Sequence, residues 1–201
     1  MIHSLRFALR LSLIFFLQFS MEAFGQNTIG LISYVPENED GYILFTPNSS
    51  DTTYLIDKCG NKVHQWSCGR QPGQSVYLLD DGTLLRTGRS NSSTFTAGGQ
   101  GGFIDRFDWN SQLIWSYQIS NNTECQHHDI RILPNGNILA LVWELKTPSE
   151  ALAAGRDTAK IGSALWSEKI VELQPSGTSS ATIVWEWHVW DHLVQDFDVN
   201  K

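Results

Sequence analysis

The segment "ECQHHDIRILPNGNILALVWE" sets two adjacent histidines and an aspartate, His127, His128 and Asp129, at the start of a strand–turn–strand pattern. Imidazole titrates near neutrality. It can donate hydrogen bonds to an oxyanion or take a proton from a hydroxyl, and a neighbouring carboxylate can orient it. A second group, "WEWHVWDHL", carries His188, Trp190, Asp191 and His192. The four-residue spacing of His188 and His192 suits a metal pair only on a helix, and this stretch reads as strand with no third ligand nearby. No metal or cofactor is therefore expected. The bland alternative for His127 and His128 is that they satisfy backbone groups at a strand entrance.

The elements that must position these residues repeat along the chain. Segments 53–66, 102–117 and 169–187 each read as strand, polar turn, and strand ending in tryptophan (Trp66, Trp115 and Trp185). Segments 75–88 and 128–141 read as strand, Asp81-Gly82 or Asn135-Gly136 turn, and strand, a strong hairpin signal. The two hairpin types alternate with a period of about 50 residues, which is the pattern of a β-propeller built from four-stranded blades. The Trp115–Trp185 interval is longer than Trp66–Trp115. Thr147 as cap, Pro148, Glu150 and Gly155 predict a short surface helix over 148–154 within it. The fold class is thus all-β, with about three blades and one inserted helix. A ring needs at least about four blades, so further blades are expected beyond Lys201.

Composition sets the context. Residues 1–25 carry Arg6 and Arg10, then an apolar run too short to span a bilayer, then Ala23 and Gly25 before Gln26. This is the layout of a secretory signal, so residues 26–201 should form the mature domain, secreted, periplasmic or at the cell surface, with no membrane span. The net charge of −7 argues against nucleic acid or an anionic membrane as partner. A protein this acidic that binds an anion needs a local cluster of donors. Arg86 and Arg89 could reach one, although surface pairing with Asp80 or Asp81 is the plainer expectation. His64 is expected to face solvent, and the glycine-rich Ala97–Gly102 to be a flexible loop. Of the three cysteines, Cys59 and Cys68 are out of register in a tight hairpin, so Cys59–Cys125 is the favoured disulfide, leaving Cys68 over.

The segments "GYILFTP", "TYLIDKCGNKVHQW", "VYLLDDGTLLRTGR", "CQHHDIRILPNGNILALVWE" and "VWEWHVWDHLVQDFD", in that order, resemble the secreted bacterial arylsulfotransferases from Gly41 to Asp198. The resemblance implies a six-bladed propeller that moves a sulfuryl group from a phenolic sulfate ester to another phenol. It implies no nucleotide donor and no metal. The family's nucleophilic histidine lies in a later "QHD" hairpin, and its "H-x-N" and "SSR" segments also come later, so none of these falls within this chain. What matches here is the early "HHD", the "WxxDH" region and the scaffold. By the resemblance, His128 (followed by Asp129 as in "QHD") would grip sulfate, with His127 less favoured. His192 and Trp190 would join the substrate site, Trp190 by stacking an aryl ring. Asp129 and Asp191 would orient imidazoles. The chain alone is expected to be inactive, and a homo-oligomer is left open. A non-catalytic exported propeller that only binds is the alternative. A sugar hydrolase or lyase ranks last, for want of paired carboxylates.

Overall fold

Among the described residues, tight turns between apolar runs produce eleven strands in three antiparallel sheets. The computed structural model describes residues 40–195, together with 33, 35, 37, 197, 198 and 200. The leader expected over residues 1–25 lies outside the described residues. Residues 39–201 form one unit, to which the following applies. Sheet one contains β1 (Tyr42–Phe45), β2 (Thr52–Asp57) and β3 (Lys62–Ser67). Sheet two contains β4 (Pro72–Leu78), β5 (Leu84–Arg89), β6 (Gly102–Phe107) and β7 (Leu113–Gln118). Sheet three contains β8 (Glu124–Ile132), β9 (Ile138–Lys146), β10 (Leu165–Ser176) and β11 (Ser180–His188). Within each sheet the spatial order follows the chain order.

The five hairpins anticipated from the turns all form, and equivalent turns close alike. Leu79 and Leu133 each donate N–H to the carbonyl four residues on, Thr83 and Asn137, at 2.8 Å. Asp57 and Asp108 each accept two backbone N–H bonds across their turns, from Cys59 and Asn61 and from Asn110 and Gln112. An aspartate in that place substitutes its carboxylate for a missing backbone acceptor. The inserted helix α1 (Pro148–Ala153) starts on Thr147, whose hydroxyl accepts from the Glu150 N–H while the Glu150 side chain reaches back.

The middle strands of sheet two, β5 and β6, bury both faces, because sheets one and three pack on either side. Leu84 and Phe107 join Leu55 and Trp66 in one core. Leu85, Ile104 and Trp115 join Ile130, Val142, Val171 and Leu173 in the other. That explains the unbroken burial of Leu84–Gly88, which alternation alone would not give. The sheets are also locked by tryptophan. The Trp66 indole N–H donates to the Asp108 carbonyl at 3.1 Å, and the Trp115 N–H to the Ser180 carbonyl at 3.0 Å. Trp66 and Trp115 are 0% and 5% exposed, whereas Trp185, their counterpart on β11, is 47% exposed. On the side of sheet one away from sheet two, Phe45 stacks on Tyr54 while Ile43 stands 54% exposed.

Arg86 is not a surface charge. It is 1% exposed and donates to the carbonyls of Asp51, Arg70 and Thr87, pinning the start of β2 to sheet two. Asp81 pairs with Arg106 instead. His64 does not simply face solvent: it stacks on Trp109 at 4.0 Å, meets Trp66 edge-on, and bonds the Trp109 carbonyl. The Cys59–Cys125 disulfide does not form. Cys59 lies in the exposed β2–β3 turn of sheet one, while Cys125 is wholly buried in sheet three beside the Ser90 and Ser120 hydroxyls, and all three thiols are free. Among the described residues no helix is long and apolar enough to cross a membrane.

Candidate functional site

The His127–Asp129 segment interrupts its strand. β8 pairs with β9 through Gln126↔Val142 and resumes at Ile130↔Ala140, so four steps on β8 span two on β9. The extra residues form a bulge, a device that re-aims side chains next to functional sites. His128 takes a left-handed backbone (φ +48), uncommon for a side chain of this size. The result is a split pair: His127 is 3% exposed and His128 points outward, exposed.

The bulge is held from outside its own strand. The His128 N–H donates to the Gly99 carbonyl at 2.8 Å, and the Gly101 N–H to the Gln126 carbonyl at 3.0 Å. Gln126 is fully buried. Its side-chain oxygen accepts from the Gly102 N–H at 3.1 Å, and its amide donates to the His127 carbonyl at 2.9 Å. The Ala97–Gly102 stretch is therefore a fitted seat rather than a loose loop. A Cβ at Gly99 would lie 2.2 Å from His128 Nε2, and one at Gly101 would lie 2.0 Å from Gln126 Oε1. Only glycine lets the loop backbone close on the imidazole and the amide.

His127 is built into the interior. Its ring lies parallel to the Trp143 indole at 4.2 Å, and its Nε2–H donates to Glu168 Oε2 at 2.7 Å. Its Nδ1 is buried with no partner among the described residues. Burial pushes the imidazole pKa below its usual 6.5, more strongly than the Glu168 carboxylate raises it, so His127 is neutral at pH 7. The His127 and His128 rings stand 5.4 Å apart, nearly perpendicular. Trp143, Phe95 and Trp166 close a small aromatic cluster beneath His127.

Asp129 orients no imidazole. Its Oδ1 accepts from the Ser75 hydroxyl at 2.8 Å, the Tyr77 phenol at 2.9 Å and the Ile130 N–H at 2.9 Å. Ser75 and Tyr77 belong to β4, so Asp129 ties the first strands of sheets two and three together. Burial and the Asp129 carboxylate push the Tyr77 phenol above its usual range.

The second group lies at the far edge of sheet three. His192 ends a 3-10 turn, Val189–His192, is exposed, and stacks on Trp187 at 4.8 Å. Register puts Trp187 opposite Ile170 and Trp143 opposite Glu168, so His192 and His127 share one face of the sheet with β9 and β10 between them. His188 turns to the other face, where it binds Glu144 Oε2 at 3.0 Å and approaches Glu186 at 3.5 Å. Among the described residues no group of three His, Cys, Asp or Glu could hold a metal. Trp190 does not join the histidines. The Lys146 ammonium sits 5.0 Å over its ring, and Trp190 lines a cavity of ≈ 260 Å³ with α1, Arg156 and Leu193. Asp191 is exposed and pairs with no imidazole among the described residues.

Sequence reasoning missed Glu168, Trp143, Gln126 and Gly99. For Gly99 the signal was the glycine run; for Glu168 there was none. No protein-family model matches the chain, and no curated protein does either.

Proposed function

We propose that this chain is part of an exported β-propeller that works as an aryl-sulfate sulfotransferase, with His128 as a donor to the sulfate oxygens. The propeller reading rests on the two four-stranded sheets of like topology and on the repeated tryptophan lock. Trp185 occupies the next lock position and is half exposed, which fits a further sheet packing over β11. The catalytic reading rests on the ordered resemblance of five segments, and one observation carries His128. A strained, positive-φ bulge displays an imidazole at the surface and fixes its backbone against Gly99, while its neighbour is buried. Strain of that kind persists where the surroundings over-determine it, often at functional sites.

The chemistry suits the residue. A sulfuryl group in flight spreads charge over its equatorial oxygens, as a phosphoryl group does, and a fixed imidazolium donor stabilises that charge. The nucleophilic histidine implied by the resemblance would come from a segment outside this chain. His192, on the same sheet face as His127, is a candidate second contact. The occupation of Asp129 by Ser75 and Tyr77 favours the rival reading, a propeller that binds without catalysis.

The test is a titration of this chain with phenyl sulfate, followed through the imidazole NMR signals. The His128 signals should move at millimolar ligand, about −4 kcal/mol of binding. His64, committed to Trp109, serves as the internal control. Equal movement of both, or none, would remove His128 from the site.

A further inference from the structure

We infer that the cleft between Arg70 and Arg89 is a binding site for a small free oxyanion, separate from His128. The cleft, ≈ 570 Å³, opens at the ends of β5 and β6 and is lined by Arg70, Gln71, Arg89, Ser90, Asn91 and Phe103. Arg89 carries the argument. Its Nε is buried without a partner, and its guanidinium makes no hydrogen bond or ion pair among the described residues. A buried, unpaired donor on a permanent cation is costly and is normally answered by an acceptor.

The surroundings are charged to match. Arg70 spends one amino group on Asp105 at 2.9 Å, and Asp105 is 1% exposed and also takes the Ser116 hydroxyl at 2.6 Å. The fully buried Arg86 adds a third cation behind them, bound only to carbonyls, one of them that of Arg70. Asp105 is thus committed to Arg70 and Ser116, and among the described residues no carboxylate pairs with Arg86 or Arg89. The guanidinium fork fits carboxylate, sulfate or phosphate oxygens in pairs, and the Asn91 and Gln71 amides supply further donors. Arg70 already covers one face of Phe103 at 4.0 Å, which leaves less of that ring for stacking and favours a free oxyanion over an aryl one. The site adjoins the histidine loop without sharing it: Ser90 N–H donates to the Gly101 carbonyl, and its hydroxyl accepts from Ser120. The inference does not depend on the sulfotransferase reading.

The experiment is calorimetric titration of the chain with sodium sulfate at constant ionic strength, comparing wild type with Arg89→Gln, Arg89→Lys and Arg156→Gln. Saturable binding is expected in the wild type. Arg89→Gln should weaken it by about tenfold or more, and Arg89→Lys by less, since charge survives but the fork does not. Arg156, bound to the Lys160 carbonyl, should matter little. Thermal scans confirm that each variant folds; general stabilisation by sulfate appears in all of them and does not count as binding. Absent saturable binding, or binding unchanged in both Arg89 variants, overturns the inference. Phenyl sulfate binding far more tightly than sulfate, and lost with Arg89→Gln, would overturn the assignment to a free oxyanion.

Discussion

Truncating the three lock tryptophans one at a time separates a closed sheet interface from an open one. Trp66 is 0% and Trp115 5% exposed, and each donates its indole N–H across to the next sheet. A fully buried tryptophan removes about 150–250 Å² from water, roughly 4–6 kcal/mol at 25 cal/mol per Å². Measured Trp→Ala losses run about 3–5 kcal/mol once relaxation is included. Trp66→Ala and Trp115→Ala should each cost that much. Trp185 is 47% exposed, so Trp185→Ala should cost about half as much, roughly 2 kcal/mol. Urea denaturation reads the difference as a shift in midpoint at constant slope. Should the alanine variants fail to fold, Trp→Phe keeps most of the volume and removes the N–H. Its cost should be about 1 kcal/mol at Trp66 and Trp115 and near zero at Trp185. A Trp185→Ala loss equal to that of Trp66→Ala in this chain would refute the reasoning that β11 presents an unfilled lock.

Three further outcomes follow from the site geometry. Gly99→Ala should displace the His128 ring, because the added methyl would lie 2.2 Å from Nε2, and should cost about 1–3 kcal/mol through the positive φ; changed His128 NMR signals with intact hairpins check it. His127 has a folded pKa below its unfolded 6.5, so its contribution is fully present above pH 6.5 and is lost as pH falls toward the folded value; stability should drop as pH falls below 6.5, and His127→Phe, which keeps the stack on Trp143, should flatten that slope in urea titrations. Native alkylation should label one thiol, Cys59, with Cys68 and Cys125 reacting only after unfolding, which mass spectrometry reads directly.

The scaffold was legible because its signals are local. Asp81-Gly82 and Asn135-Gly136 specify hairpins by turn chemistry, and Thr147-Pro148-Ser149-Glu150 specifies a helix start, without reference to anything distant. The site was legible only in outline. A regular pleat sends His127 and His128 to opposite sides, and they do diverge, but through a bulge that depends on Gly99 and Gln100, far back in the chain. The partners of His127 (Trp143 and Glu168) come from two later strands, and Asp129 is claimed by β4. Arg86 reads as surface charge because nothing in "LLRTGR" reports the three carbonyls that surround it in the folded chain.

The most direct test of the central claim is sulfuryl transfer by the protein expressed from its whole reading frame. Release of 4-nitrophenol from 4-nitrophenyl sulfate would be followed with and without added phenol, in wild type and His128→Ala. Phenol-dependent release is expected, falling by about 100-fold or more in the variant, the loss typical of one transition-state donor. Transfer that survives His128→Ala undiminished, or a folded protein that binds aryl sulfate and never turns it over, would contradict the claim.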